Sequence, residues 1–182
     1  MKPFVTWWRS AQPFITAAMA GIAVVAASAP AAHATGDPSA PWLSSIQQVD
    51  AALGRKEYSA ALRASHDAYG AALASRRWEG MVAAGDAYRR IGEATGLHKS
   101  FQAKAREAYL AALFRARQQS ALDGVLRAAE AFVTLGDIEV VTQCVRIAKL
   151  LAAQDPEKQA DVRAFTARLA DPALTVQKLQ PR

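Results

Sequence analysis

Met81–Tyr88 reads MVAAGDAY, and Val125–Phe132 reads VLRAAEAF. The two stretches lie 44 positions apart and carry one pattern: an apolar residue, small residues three and four positions on, and an aromatic ring at the seventh. Spacing of three, four and seven places all of these side chains on one face of an α-helix. Two small residues in the middle of that face let another backbone come close, and the aromatic fills the space beside it.

Working outward, the same period recurs on both sides. It appears in Leu43, Ile46, Val49 and Leu53, and in Tyr58, Ala61, Leu62, Ser65, Tyr69 and Ala72. It continues through Phe101, Ala105, Ala108, Ala112 and Ala116, then through Ile138, Val141, Val145 and Ala148, and ends in Val162, Phe165 and Leu169. With the two opening stretches this makes seven amphipathic helices, and no run alternates with the period of a strand, so the expected fold is all-α. Turn chemistry marks several boundaries. Ser120 with Asp123 three residues on has the form of a capping box. Gly136-Asp137 combines a helix stop with an N-cap, and Asp155-Pro156 sets a cap and a first-turn proline before the last helix. Connections this short make successive helices antiparallel, which gives helix hairpins.

The hairpins repeat. Ala68, Ala112 and Ala148 hold matching places, 44 and 36 residues apart. The middle unit therefore has about eight extra residues, which fit at Gly92–Ser100 (GEATGLHKS) as a loop longer than a tight turn requires. The small-residue pair, the aromatic three positions on, and the later Ala-x-x-x-aromatic-x-x-Ala resemble the tetratricopeptide repeat over roughly Trp42 to Asp155. The first unit departs from that pattern, with Gln48-Val49 for the small pair and Ala52 for the aromatic. The resemblance implies a short right-handed solenoid over residues 42–170, about three hairpins closed by a capping helix at 156–170. Trp42, Leu43 and Trp78 then either pack in the core or form an exposed apolar end.

The resemblance also implies a function. In tetratricopeptide arrays the first helix of each hairpin lines a concave groove that holds a peptide segment. Carried onto this chain, the groove positions are Asp50; Glu79, Val82, Asp86, Arg89 and Arg90; and Asp123, Leu126, Glu130 and Val133. Five acids against two arginines make an acidic groove, suited to a basic protein or peptide whose carboxylate meets Arg89 and Arg90. The alternative is a helical bundle that holds a small apolar ligand, which requires a large internal pocket.

Catalysis is not expected. His66, His98 and Cys144 fall on different elements, and no HExxH, CxxC, Walker-type loop or GxGxxG occurs. Cys144 sits on an apolar stripe and reads as a small buried hydrophobe; no cofactor and no metal site is implied. Arg76-Arg77 and Arg115 with Arg117 read as solvated cations at helix ends.

The amino-terminal segment reads as an address. Lys2 and Arg9 precede an uncharged stretch, Ile15–Ala29 is apolar, and Ala32-His33-Ala34 supplies a small-x-small site. These are the parts of a secretory signal peptide over residues 1–34, cleaved after Ala34, with retention as a membrane anchor the other reading. Residues 35–41 form a spacer and 171–182 a tail. Cleavage removes two of the 22 basic residues and none of the 16 acids, so the mature balance is 20 to 16. That is too even to point to nucleic acid. The chain of 182 residues, 52% hydrophobic with one cysteine, excludes a disordered chain and a disulfide scaffold. The expectation is an exported, periplasmic or secreted, non-enzymatic interaction module of the bacterial envelope.

Overall fold

The computed structural model describes residues 40–170, and every regular element among them is an α-helix. They are α1 (Leu43–Gly54), α2 (Tyr58–Ser75), α3 (Trp78–Thr95), α4 (His98–Gln118), α5 (Leu122–Leu135), α6 (Ile138–Leu151) and α7 (Pro156–Ala170). The signal segment 1–34, all of the 35–41 spacer except Ala40 and Pro41, and the 171–182 tail lie outside the described residues. Among the described residues no helix is long and apolar enough to cross a membrane.

Each helix packs on its sequence neighbour, and the odd-numbered helices also touch one another: α1 on α3, α3 on α5, α5 on α7. Burial follows the repeat. In α2 the buried residues are Ala61, Ala64, Ser65, Ala68 and Ala72, and in α4 Ala105, Ala108, Tyr109, Ala112 and Ala116 hold the same places 44 residues on. Val141, Cys144, Ala148 and Ala152 continue the series 36 residues further. Alanine at so many contact positions brings helix axes close together and leaves little side-chain entropy to lose.

Two glycines show how close. A Cβ on Gly80 would lie 2.9 Å from both the Ala72 methyl and the Trp42 ring. On Gly124 it would lie 2.7 Å from the Ala116 methyl and the Trp78 ring. The two sites are the same lock one unit apart: indole, glycine and alanine from three successive elements. The lock settles the fate of the tryptophans, since Trp42 is buried and Trp78 partly so, and neither forms an open apolar end.

Two expectations about turns are corrected. The extra residues at Gly92–Ser100 do not make a loop. α3 runs on to Thr95, α4 begins at His98, and only Gly96, at φ 73°, and Leu97 lie between. Most of the stretch is exposed helix surface, and packing occurs at its edges: Ile91 and Gly92 are buried, and Phe101 sits so near that a Cβ on Gly92 would lie 2.8 Å from the Phe101 Cβ. Nor does Ser120 open a capping box. It adopts φ 53° as the left-handed residue that closes α4, and Ala121, without a capping side chain, precedes α5. The Ala121 N–H donates back to the Ala116 carbonyl at 2.9 Å, as Glu57 does to Ala52 at 2.9 Å and Asp137 to Phe132 at 3.0 Å. These are Schellman closures, in which the orphan carbonyls at a helix end are satisfied by the turn itself. The Gly136-Asp137 and Asp155-Pro156 signals behave as the sequence indicates. Asp137 accepts from the Val140 N–H at 3.4 Å, and Asp155 accepts from those of Glu157 and Lys158.

Arg115 is no idle cation either. Its guanidinium donates to the carbonyls of Ala72, Leu73 and Arg77 at 2.8–3.2 Å, and the Gln119 amide donates to Arg76 at 3.0 Å. α4 thereby caps the carboxyl end of α2, whose closing residue Arg76 is itself left-handed at φ 57°.

Glycine substitutions separate propensity from packing. Gly70 lies exposed within α2 with nothing near its missing Cβ, so Gly70→Ala should raise stability by about 1 kcal/mol. A Cβ on Gly85 would drive into the buried Tyr109 ring, so Gly85→Ala should lower stability by roughly 1–3 kcal/mol. Urea unfolding of the two variants should show midpoint shifts of opposite sign.

Candidate functional site: the face of the odd-numbered helices

The anticipated groove residues sit on α1, α3 and α5, the helices that touch one another. Asp50 on α1 faces Arg90 on α3, with Oδ1 and Nε 3.0 Å apart. Asp86 on α3 faces Arg127 on α5 at 3.2 Å. Glu130 on α5 faces Arg168 on α7 at 3.2 Å and also meets Arg127 on its own helix at 3.3 Å. Each contact between neighbouring odd helices thus carries one carboxylate–guanidinium rung. The three acids occupy the same position in successive units, with offsets of 36 and 44.

Most acids of the anticipated groove stand beside a cation. Glu79 is held by Arg77 at 2.8 Å, and Arg89 by Glu93 one turn along the helix. Among the described residues, of the five acids only Asp123 has no cation beside it. Arg89 is likewise engaged, and Arg90 meets Asp50 as an ion pair while its buried Nε and Nη2 make no hydrogen bond. Val82 is buried and lines no groove, while Leu126 and Val133 remain partly accessible between the rungs. Arg127 and Arg168 are the partners of these acids that the sequence reading left out. Their signal was present: each lies about one repeat length, 41 or 38 residues, beyond the acid it meets on the preceding odd helix.

Beneath the rungs, the Tyr109 hydroxyl donates to Asp86 Oδ1 at 2.7 Å, and its ring meets Phe132 edge-on with centroids 6.0 Å apart. Burial, then the Asp86 carboxylate, pushes the Tyr109 hydroxyl far above its ordinary pKa. Burial opposes the charge on Arg89, but Glu93, Tyr109 and Asp86 together outweigh it and hold its pKa up. At Glu79 burial also opposes ionisation, and the Arg77 hydrogen bond overrides it, leaving the carboxyl below its usual range.

His66, His98 and Cys144 lie on α2, α4 and α6. His66 Nε2 is 3.3 Å from Lys104 Nζ, whose ammonium stands over the Tyr88 ring at 5.5 Å. Cys144 is fully buried, and burial pushes its thiol up to about 12. His98 borders a recess of ≈ 70 Å³ between the ends of α3, α4 and α5, with Arg89, Phe101 and Thr134 around it. A drug-sized ligand fills about 300–1,000 Å³, so this recess is not the chamber that an apolar core ligand needs. No protein-family model, curated protein or solved structure matches the chain.

The buried hydroxyl and thiol set an alkaline limit on stability. Both are raised in the folded chain, so their contribution is complete below the unfolded values and is lost as pH rises past them. Stability should fall above about pH 9 through Cys144 and more steeply above about pH 10 through Tyr109. Tyr109→Phe should flatten the second part of that decline in urea melts taken across the alkaline range, at a cost of about 1 kcal/mol near neutral pH.

Proposed function

We propose that the chain is an exported, non-enzymatic scaffold of tetratricopeptide-like build, and that its odd-numbered helices line a concave groove for a segment of another envelope protein. The observation that carries this reading is the line of contacts α1–α3–α5–α7. Helices that touch both their sequence neighbours and their next-but-one neighbours are what a row of antiparallel hairpins produces when it coils in one direction. α3 and α4 support the hairpin: Gly92 lies by Phe101, Gly85 by Tyr109, and the Arg77 carbonyl by Arg115. α7, with Glu157, Lys158, Asp161 and Arg163 exposed, has the polar outer surface of a terminal cap.

Under this reading the rungs help to hold the groove open. Each exposed ion pair adds little stability, and the three together refine a lateral spacing of the inner helices that packing has set. A pre-organised floor lowers the ordering cost of an extended ligand. The ligand is a segment with apolar side chains for Leu126 and Val133 and a cation for Asp123. It needs no strongly basic character, since the other acids already have partners. Export rests on the signal-like amino terminus.

A photo-reactive residue in place of Leu126 tests the groove, with one at Gln143 on α6 as control. Adducts to an envelope protein at position 126 but not 143, from a particle that solution scattering shows to be curved and elongated, are the expected result. A rounded particle, or equal adducts at both positions, would defeat the proposal.

A further inference from the structure

The even-numbered helices carry a different surface. Phe114 on α4 and Leu150 on α6 occupy the same place in successive units, 36 residues apart, and are 61% and 77% exposed. The register is secure because four flanking pairs at that offset have both members buried: Ala105 with Val141, Ala108 with Cys144, Ala112 with Ala148, and Ala116 with Ala152, the residue that closes α6. Leu110, one turn before Phe114, is exposed as well. Its counterpart on α6 is Arg146, and Arg117 and Lys149 stand nearby in sequence, all three exposed and in no ion pair among the described residues. No acid occurs from Leu110 to Leu122, or from Val140 to Gln154.

We propose that this outer surface docks on an anionic lipid bilayer, with Phe114 and Leu150 entering the headgroup region and Arg117, Arg146 and Lys149 meeting lipid phosphates. Charge decides the occupant. Protruding aromatic and aliphatic side chains among unpaired cations, with no carboxylate in either segment, complement a negative surface. The prongs sit on separate helices, Phe114 with Leu110 one turn away and Leu150 on α6. An acidic protein would need a contiguous, shape-matched patch around them, whereas a bilayer accepts separate prongs and aligns its phosphates to the cations. The proposal is independent of the groove on the odd-numbered helices, so scaffold and membrane attachment occupy different layers of the same stack.

An environment-sensitive fluorophore on the full chain tests it, attached through Phe114→Cys or Leu150→Cys, with Asp123→Cys on α5 as control. Cys144 is buried and keeps its thiol protonated, so labelling at neutral pH falls on the introduced residue. Probes at 114 and 150 should brighten and shift to the blue on vesicles of phosphatidylglycerol and phosphatidylethanolamine, while the probe at 123 should not. The response should be lost on phosphatidylcholine vesicles, in high salt, and in R146E/K149E. An unchanged signal at 114 and 150, an equal response at 123, or the same shift with poly-glutamate in place of lipid would overturn the proposal. Because the probes report their own surroundings, lipid binding by the amino-terminal segment would not imitate the expected result.

Discussion

The constraint on which the structure depends is the close approach at Gly80 and Gly124, where each glycine is enclosed by an indole from the start of the preceding odd helix and a methyl from the end of the intervening even helix. Nothing larger than hydrogen fits without displacing a tryptophan or a neighbouring helix. Three elements meet at each such point, so their relative positions are set by steric exclusion and not by any directional bond. Because the same lock occurs twice, the offset between one unit and the next is also set twice. The alanine rows of α2 and α4 and the Val141–Cys144–Ala148–Ala152 row of α6 extend that offset along the molecule.

Polar interactions then refine an arrangement that packing has already fixed. The rungs Asp50–Arg90, Asp86–Arg127 and Glu130–Arg168 lie at the surface, where solvent screens them, and each is worth at most about 1 kcal/mol. Their importance lies in position: each carboxylate comes from one odd-numbered helix and its guanidinium from the next. The Tyr109–Asp86 hydrogen bond is more demanding, because a buried hydroxyl left without a partner would cost more than the bond contributes. Arg115 joins α4 to the end of α2 by satisfying carbonyls that a left-handed terminus leaves open.

Much of this was legible from residue spacing. The seven helices, the offsets of 44 and 36, the burial of Ala68, Ala112 and Ala148, and the caps at Asp137 and Asp155 all follow from local periodicity and short-range turn chemistry. The acids of the candidate face were legible as well, because they fall at one register position. Their partners were not. Arg127 and Arg168 approach them only after helices distant in sequence have packed, and a count of charges on one set of positions omitted both. Ser120 misled for a related reason: serine followed by an acid suits an N-cap, but the closure of α4 claimed that residue first. Gly92–Ser100 has the composition of a loop, yet burying Ile91 and Phe101 made another turn of helix the better use of it.

The amino-acid order by itself determined an all-helical chain, the length of its repeat and which face of each helix is apolar, because these depend on contacts within a few residues. Tertiary structure alone decided which charges neutralise one another, that the inserted residues lengthen a helix pair, and that Phe114 and Leu150 remain bare while their neighbours are covered. Those outcomes depend on the distances between helices, which are set by how closely glycine and alanine let backbones approach and are not carried by any single stretch of the chain.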